Sequence, residues 1–317
     1  MQGMYPVPNS LSPSRVESFL SCPLAFRFAS IERLPEPPAT YTTKGSLVHR
    51  ALELLFVHPN AERTLATAQV AFQQAVAEYR LDPEFTMLGL DAAAADEFFA
   101  DAWVLVQQYF DMEDPTAIRD IGLELRLEAQ VGSLALRGII DRLELDADGR
   151  LVVTDYKTGR APGANYEQKS LAGVHFYSFL CQEVLGQRPA AIRLMYLRSG
   201  QVITATPSEQ SVKFLTTRTT AVWKAVEKAC LTGDFRPKEG PLCKSCSFKP
   251  WCPSFGGNPE LAAVLQRIAT EGPDALLKGD VAHAIVAKDF VAQYGRMDFV
   301  FIDGDHSRKG VAQDTDL

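Results

Sequence analysis

The period of apolar residues along the chain switches from helical to alternating and back, and those switches outline the elements. Residues 12–30 open with Ser12 before Pro13, an N-cap followed by a first helical residue, and Val16, Phe19 and Leu20 then form one apolar stripe. Cys22-Pro23 is expected to end or kink that helix, because proline lacks an N–H and clashes with the preceding turn. A proline-rich link, Leu34-Pro35-Glu36-Pro37-Pro38, follows. Residues 45–56 predict a second helix with Leu47, Val48, Ala51, Leu52 and Leu55 facing inward. The alanine-rich stretch 62–112 keeps a helical period and predicts two or three further helices that carry no chemistry of their own.

From about residue 120 the apolar positions alternate, the period of a half-buried strand. A strand is expected at 121–129 and a β-hairpin at 134–157, folded about the turn Asp146-Ala147-Asp148-Gly149, with Leu151-Val152-Val153-Thr154 in its return strand. A helix at 165–185, strands at Ala191–Leu197 and Val202–Thr206, and a long helix at 208–231 complete a mixed α/β core. The chain thus divides into a helical region (1–118), a core (119–235), a cysteine-rich segment (236–256) and a tail (257–317).

Composition narrows the class. At 317 residues and 46% hydrophobic the chain can bury a substantial core. No apolar run reaches transmembrane length, and the N-terminal MQGMYPVPNSLSPSR has no charged stretch leading into an apolar one, so a cytoplasmic protein without a membrane partner is expected. The net charge of −7 argues against a nucleic-acid coat protein, yet residues 157–253 hold 14 Lys/Arg against 6 Asp/Glu, so a local surface can still attract a polyanion. The compensating acid lies mostly in 78–114.

Candidate chemistry centres on the hairpin. Side chains alternate along a strand, so Asp155 and Lys157 share one face while Tyr156 points to the other. Closing the hairpin brings Asp141 opposite Thr154 or Asp155. Two acids and a lysine within apolar strands are costly unless they hold a cation, which points to a metal site. The Asp-x-Lys triplet by itself more often marks an ordinary exposed hairpin, and His49, on the shoulder of its helix, would by itself more often be a satisfied core histidine than a ligand. Cys243-x2-Cys246-x5-Cys252 offers three thiolates and calls for a fourth ligand, for which Cys22, also followed by proline, is the best candidate. Cys181 and Cys230 fall in apolar helical stretches and read as small core residues. Spacing alone fits zinc and an iron–sulfur cluster alike.

Taken in order, Gly45-x3-His49, Gly138-x2-Asp141-Arg142, Asp155-Tyr156-Lys157-Thr158-Gly159 and Phe176-Tyr177 form a set that resembles the PD-(D/E)xK nuclease superfamily in its RecB-like branch. The one-plus-three cysteines resemble the iron–sulfur members, such as AddB-type and CRISPR-associated RecB-like nucleases. The resemblance covers residues 10–256. It implies a restriction-endonuclease-like mixed sheet flanked by helices, with a helical insertion and a cysteine-ligated C-terminal staple. His49, Asp141, Asp155 and the Tyr156 carbonyl become ligands of Mg²⁺ or Mn²⁺, and Asp141, Asp155 and Lys157 the catalytic residues. Cys22, Cys243, Cys246 and Cys252 become ligands of a [4Fe–4S] cluster, with Zn²⁺ the alternative, and Tyr177 positions DNA. The implied activity is metal-dependent hydrolysis of DNA phosphodiesters, by an exonuclease of repair or recombination acting on a single-stranded end beside a helicase partner.

One position departs from that pattern. The family's Gln-x3-Tyr glutamine is Gly173 here, and Gln168 lies too far along the helix for simple replacement. A cluster-stapled DNA-binding subunit with weak or no nuclease activity is therefore the alternative. In the tail, residues 262–287 resemble a helical piece of γ-glutamyltranspeptidases and 298–307 a late strand of class I methyltransferases. Neither brings the working motifs of its family, and no activity is expected there.

Overall fold

The computed structural model of the chain describes residues 4–262 except 133 and 164–166, with backbone alone for 167–174. The tail resemblances at 263–287 and 298–307 lie outside the described residues, as do the side chains of Gln168 and Gly173. The chain forms two compact units, one of residues up to Ser21 and Pro37–Asp234, the other of Cys22–Glu36 and the chain from Phe235 onward.

The larger unit begins with strand β1 (Ser10–Leu11) and helix α1 (Pro13–Ser21), in which Ser12 accepts from the Arg15 N–H and Val16 and Phe19 are buried. The helix stops before Cys22, as the following proline requires. The next segment belongs to the smaller unit: α2 (Pro23–Phe26), with Cys22 as its N-cap residue and Pro23 at its first turn, then a π-helical turn over Arg27–Glu32. The sequence marks Pro23 as a stop but not as a start, although proline's fixed φ suits a first turn equally well.

Helix α3 (Thr40–Phe56) starts five residues earlier than the apolar stripe indicates, because its first turn is polar. The alanine-rich stretch gives three helices, α4 (Leu65–Tyr79), α5 (Pro83–Thr86) and α6 (Ala92–Met112). Side-chain oxygens of Thr64, Asp82 and Asp91 cap them. Leu47, Leu52, Leu55, Phe98, Ala102 and Val106 meet in one core with Tyr156 and Met195 of the sheet. Each fully buried leucine or phenylalanine there contributes roughly 1.5–3 kcal/mol.

The sheet contains β1, β2 (Arg119–Val131), β3 (Leu134–Leu145), β4 (Leu151–Lys157), β5 (Ala191–Tyr196) and β6 (Gln201–Ala205). Helix α7 (Glu167–Leu185) joins β4 to β5, and α8 (Glu209–Thr232) follows β6, closed by Gly233 in the left-handed conformation at φ 74°. Parallel β4–β5 and antiparallel β3–β4 make the sheet mixed and the fold α/β, with helices packed on it, as expected. The predicted turn is present: Asp146 accepts from the Asp148 and Arg150 N–H groups, and Gly149 takes φ 75°, where a side chain would be strained.

One detail of the register makes the site. Strand β3 pairs with β2 along its whole length, but on its other edge only with β1, at Ala135 and Leu136, and with β4, from Arg142 to Leu145. Beyond the pair Arg142–Thr154 the hairpin strands part company, and β4 continues through Asp155–Lys157 against β5 alone. Asp141 and Asp155, the next residue on each strand, therefore flank an opening in the sheet.

In the smaller unit Phe28 stacks against Phe248 and Trp251, with ring centroids 5.3 and 6.5 Å apart. Buried Arg27 pairs with Glu32 at 3.1 Å and with Glu260 at 3.3 Å. Short 3₁₀ turns at Pro241–Ser245, Lys249–Trp251 and Pro253–Phe255 carry three of the cysteines in or beside them.

Candidate functional site

At the opening a carboxylate replaces a strand partner. The Tyr156 N–H donates to Asp141 Oδ2 at 2.7 Å, and the Tyr156 carbonyl faces His49 Nε2 at 3.0 Å. His49 Nδ1 lies 3.5 Å from Asp141 Oδ2. Helix α3 thus delivers its histidine to the strand end that holds both carboxylates. Pleating sends Tyr156 into the core and Asp155 to the opposite face, where α7 supplies Tyr177, whose hydroxyl donates to Asp155 Oδ1 at 3.3 Å. Lys157, on the same face, sets its Nζ 2.5 Å from Asp155 Oδ2.

Gly138 permits this approach of α7. A Cβ there would stand 2.7 Å from Leu180 Cδ1 and 3.4 Å from Tyr177 Cε1. A side chain on β3 at this point would displace Leu180 and touch the ring that reaches Asp155.

One acid of the site was not singled out by the sequence reading. Glu124 on β2 lies between Leu123, which pairs with Arg142, and Leu125, which pairs with Ile140, so it falls opposite Asp141. Donor atoms of His49, Glu124 and Asp141 lie within 4.8 Å of one another, a group able to hold a metal ion. Glu124 is also held at φ 43°, a left-handed conformation that costs a non-glycine residue of order 1 kcal/mol. Alternation of Leu123, Leu125 and Leu127 puts Glu124 on a polar face with Arg126 and Glu128, and nothing in that pattern separates it from its neighbours. The pairing register does. Asp155 stands outside that close group, engaged by Lys157 and Tyr177.

The electrostatics fit a cation site. Burial, then the charge of Asp155, pushes the Asp141 carboxyl well above the usual carboxylate range. Burial and then Asp141 raise Glu124. Burial lowers His49, outweighing the acids beside it, and a neutral imidazole is the form that ligates metal. For Lys157 burial works against the charge, but Asp155 more than offsets it and the ammonium is held more firmly than usual. Crowded carboxylates that resist ionisation without a partner gain most from a divalent cation.

Below the site lies a buried ionic network. Arg142 is fully buried; its guanidinium pairs with Glu113 and Glu144, both at 2.5 Å, and donates to the Tyr156 hydroxyl at 2.7 Å. Arg193 pairs with the same two acids at 3.1 and 3.2 Å, so two cations meet two anions.

A groove of about 1020 Å³ opens where β1 and β4 leave the edge of β3 free, lined by Ser12, Ser14, Arg126, Arg137, Ile139 and Lys157 among others, with Tyr177 in its wall. A smaller cleft of about 370 Å³ adjoins His49, Tyr156 and Lys157.

The cysteines separate as their surroundings suggested. Cys181 and Cys230 are buried in α7 and α8, and burial pushes their thiols up to about 12 and about 11. Cys22, Cys243, Cys246 and Cys252 are half-buried and belong to the same unit. Burial raises the Cys246 thiol, a backbone hydrogen bond at Phe248 opposes this, and Cys22, Cys243 and Cys252 raise it further.

Among the described residues no helix is long and apolar enough to cross a membrane.

The profile of the PD-(D/E)XK nuclease superfamily matches residues 10–253. The gene 69 protein of Mycobacterium phage D29 is 22% identical over 271 residues, covering 77% of this chain and 96% of the relative. A solved structure described as a candidate exonuclease from Eubacterium rectale is similar at 10% identity and a TM-score of 0.48, covering 75% of this chain and 87% of the other.

Proposed function

Because the chain belongs to the PD-(D/E)XK nuclease superfamily, we propose that it is a DNA nuclease that depends on Mg²⁺ or Mn²⁺. More finely, it is a RecB-like exonuclease of repair or recombination that acts on a single-stranded end, supplied by a helicase partner. The observation that carries the activity is the convergence of His49, Glu124 and Asp141 within 4.8 Å, with the Lys157–Asp155 pair beside them. These donors, one imidazole and several carboxylates, suit a hard divalent cation with open positions. When bound, such an ion neutralises phosphate charge and activates water.

The chain's own groups do the rest. His49, Asp141 and the Tyr156 carbonyl would hold the ion, with Glu124 added to the ligands the sequence indicates. Asp155, paired here with Lys157, would offer its carboxylate as well. Lys157 then has an ammonium free to orient water or to stabilise charge developing on the phosphate. Tyr177 holds Asp155 in place and borders the groove through which a strand reaches Lys157.

The test is a nuclease assay on labelled single- and double-stranded DNA with Mg²⁺ or Mn²⁺, beside Asp155→Ala and Lys157→Ala. Both variants should lose cleavage and keep the fold, and unchanged cleavage by either removes the mechanism. Gly173, in place of the usual glutamine, favours one other reading, a DNA-binding subunit with weak or no nuclease activity. Tight DNA binding without metal-dependent cleavage in the same assay would select it.

A further inference from the structure

We propose that Tyr41, Arg160 and Arg198 form a subsite for one nucleotide of a single-stranded nucleic acid, its base against the tyrosine and its phosphate between the guanidinium groups. The proposal rests on the nuclease reading and adds to it a position on the substrate strand away from the metal ligands. These residues line a cleft of about 290 Å³ together with Lys44, Thr158 and Gly159. Thr158 and Gly159 also line the cleft that holds His49 and Lys157, so the two clefts share a wall directly after the Lys157 strand end.

Charge and exposure decide what the cleft suits. Lys44 is engaged by Asp101 at 2.9 Å and lies over the Phe98 ring. Among the described residues neither Arg160 nor Arg198 forms an ion pair, although the Arg198 charge reaches Asp101 and helps to lower its carboxyl. Solvated surface arginines are common and would mean little alone. Tyr41 changes the argument: its side chain is 76% exposed, an aromatic face held in water in the same cleft as two arginines without an ion pair among the described residues. Cations that follow the backbone and an aromatic face that takes a base are the two parts of a single-strand surface. A duplex hides its base faces, so the stacking partner must be unpaired.

The experiment uses the full chain carrying Asp155→Ala, so that binding is read without cleavage, and a fluorescein-labelled oligothymidylate in Mg²⁺. Adding Arg160→Ala with Arg198→Ala should reduce the salt dependence, the slope of log K against log salt, by about 0.7, the contribution of the one single-strand phosphate held between them. Tyr41→Ala should weaken single-strand binding about tenfold, with Tyr41→Phe retaining it and duplex binding unchanged. In the otherwise native enzyme the same changes should raise KM and leave kcat within about twofold. All three side chains are exposed, so the variants are expected to fold. An unchanged salt slope, or equal losses on single strand and duplex, would overturn the subsite while cleavage by the wild type leaves the nuclease reading intact. Binding that follows the expected pattern in a protein unable to cleave would support the subsite and overturn the nuclease reading instead.

Discussion

Arg142 donates to the hydroxyl of Tyr156 at 2.7 Å, from a guanidinium with no exposure to solvent. The other end of Tyr156 is its peptide, which meets Asp141 through the N–H and His49 through the carbonyl. The buried cation therefore anchors, through one ring, the backbone that touches two candidate ligands. An ion pair so deeply placed is not retained for its net energy, since desolvation offsets most of the Coulomb gain. Holding a strand end open against the pull of ladder hydrogen bonding is a better account of it.

Tyr156→Phe should consequently cost about 1.5–3 kcal/mol, the worth of a hydrogen bond to a charged partner, and should weaken Mn²⁺ binding although the phenol touches no metal ligand. Arg142→Met should cost about 3–5 kcal/mol, because Glu113 and Glu144 would keep only Arg193 as a charged partner. Urea unfolding with a parallel metal titration measures both. A Tyr156→Phe protein that unfolds at the wild-type midpoint and binds Mn²⁺ equally well would show that the anchor does not exist.

The same network gives stability a pH dependence. Burial works to raise the Glu113 carboxyl, but the charge and hydrogen bond of Arg142, then Arg193, reverse it and leave the group below its ordinary 4.5. Since the folded value is the depressed one, this stabilisation is complete above the unfolded value and is lost as pH falls through the folded one. Glu113→Gln should be less stable than wild type at neutral pH, and the gap should narrow on acidification below about pH 4.5. Unfolding midpoints taken down to about pH 3 test the sign. A gap that widens in acid would refute it.

Much of this site could be read from the sequence because its parts are local. Asp155, Tyr156 and Lys157 need only the pleat of one strand, and Gly149 marks the turn that returns it. His49 gains meaning from its place ahead of that hairpin in an ordered set. What stayed illegible depends on pairing across strands. Glu124 looks like Glu128 until the β2–β3 register sets it against Asp141. Gly138 could be seen in its motif, but not the reason for it, which is a side chain on a helix some forty residues later. Arg142, visible in the sequence only as part of its motif, is fully buried; no single-strand pattern predicts a buried arginine, because its partners come from the end of α6, from β3 and from β4.

Glu124 lends itself to a test that separates metal binding from folding. Its carboxyl is raised by burial and by Asp141, so without a cation it adds repulsion to an already crowded site. Glu124→Gln removes the charge and keeps the side chain's size. The variant should melt at a higher temperature than wild type in EDTA and gain less from added Mn²⁺, so that the order of the two melting temperatures reverses at saturating metal. If Mn²⁺ stabilises both proteins equally, Glu124 is not a ligand.

The cysteines of the smaller unit yield the last prediction, a [4Fe–4S] cluster on Cys22, Cys243, Cys246 and Cys252. Four half-buried cysteines of one unit match a four-thiolate site, and a bound metal is what lets grouped thiols ionise. Zinc would draw the sulfurs to about 3.8 Å from one another, given its 2.3 Å bonds. By analogy with disulfides, tying Cys22 to Cys243 closes a loop of more than 200 residues, worth about 4–5 kcal/mol in the chain-entropy model. Anaerobically purified protein should contain iron and sulfide and absorb visible light. Cys22→Ser should lose both, together with a few kcal/mol of stability, by the same closure reasoning. Cys181→Ser and Cys230→Ser should keep them, since those thiols are buried in helices and held protonated. Stoichiometric zinc without iron or sulfide would replace the cluster with a zinc site, and full metal content in Cys22→Ser would remove Cys22 from either.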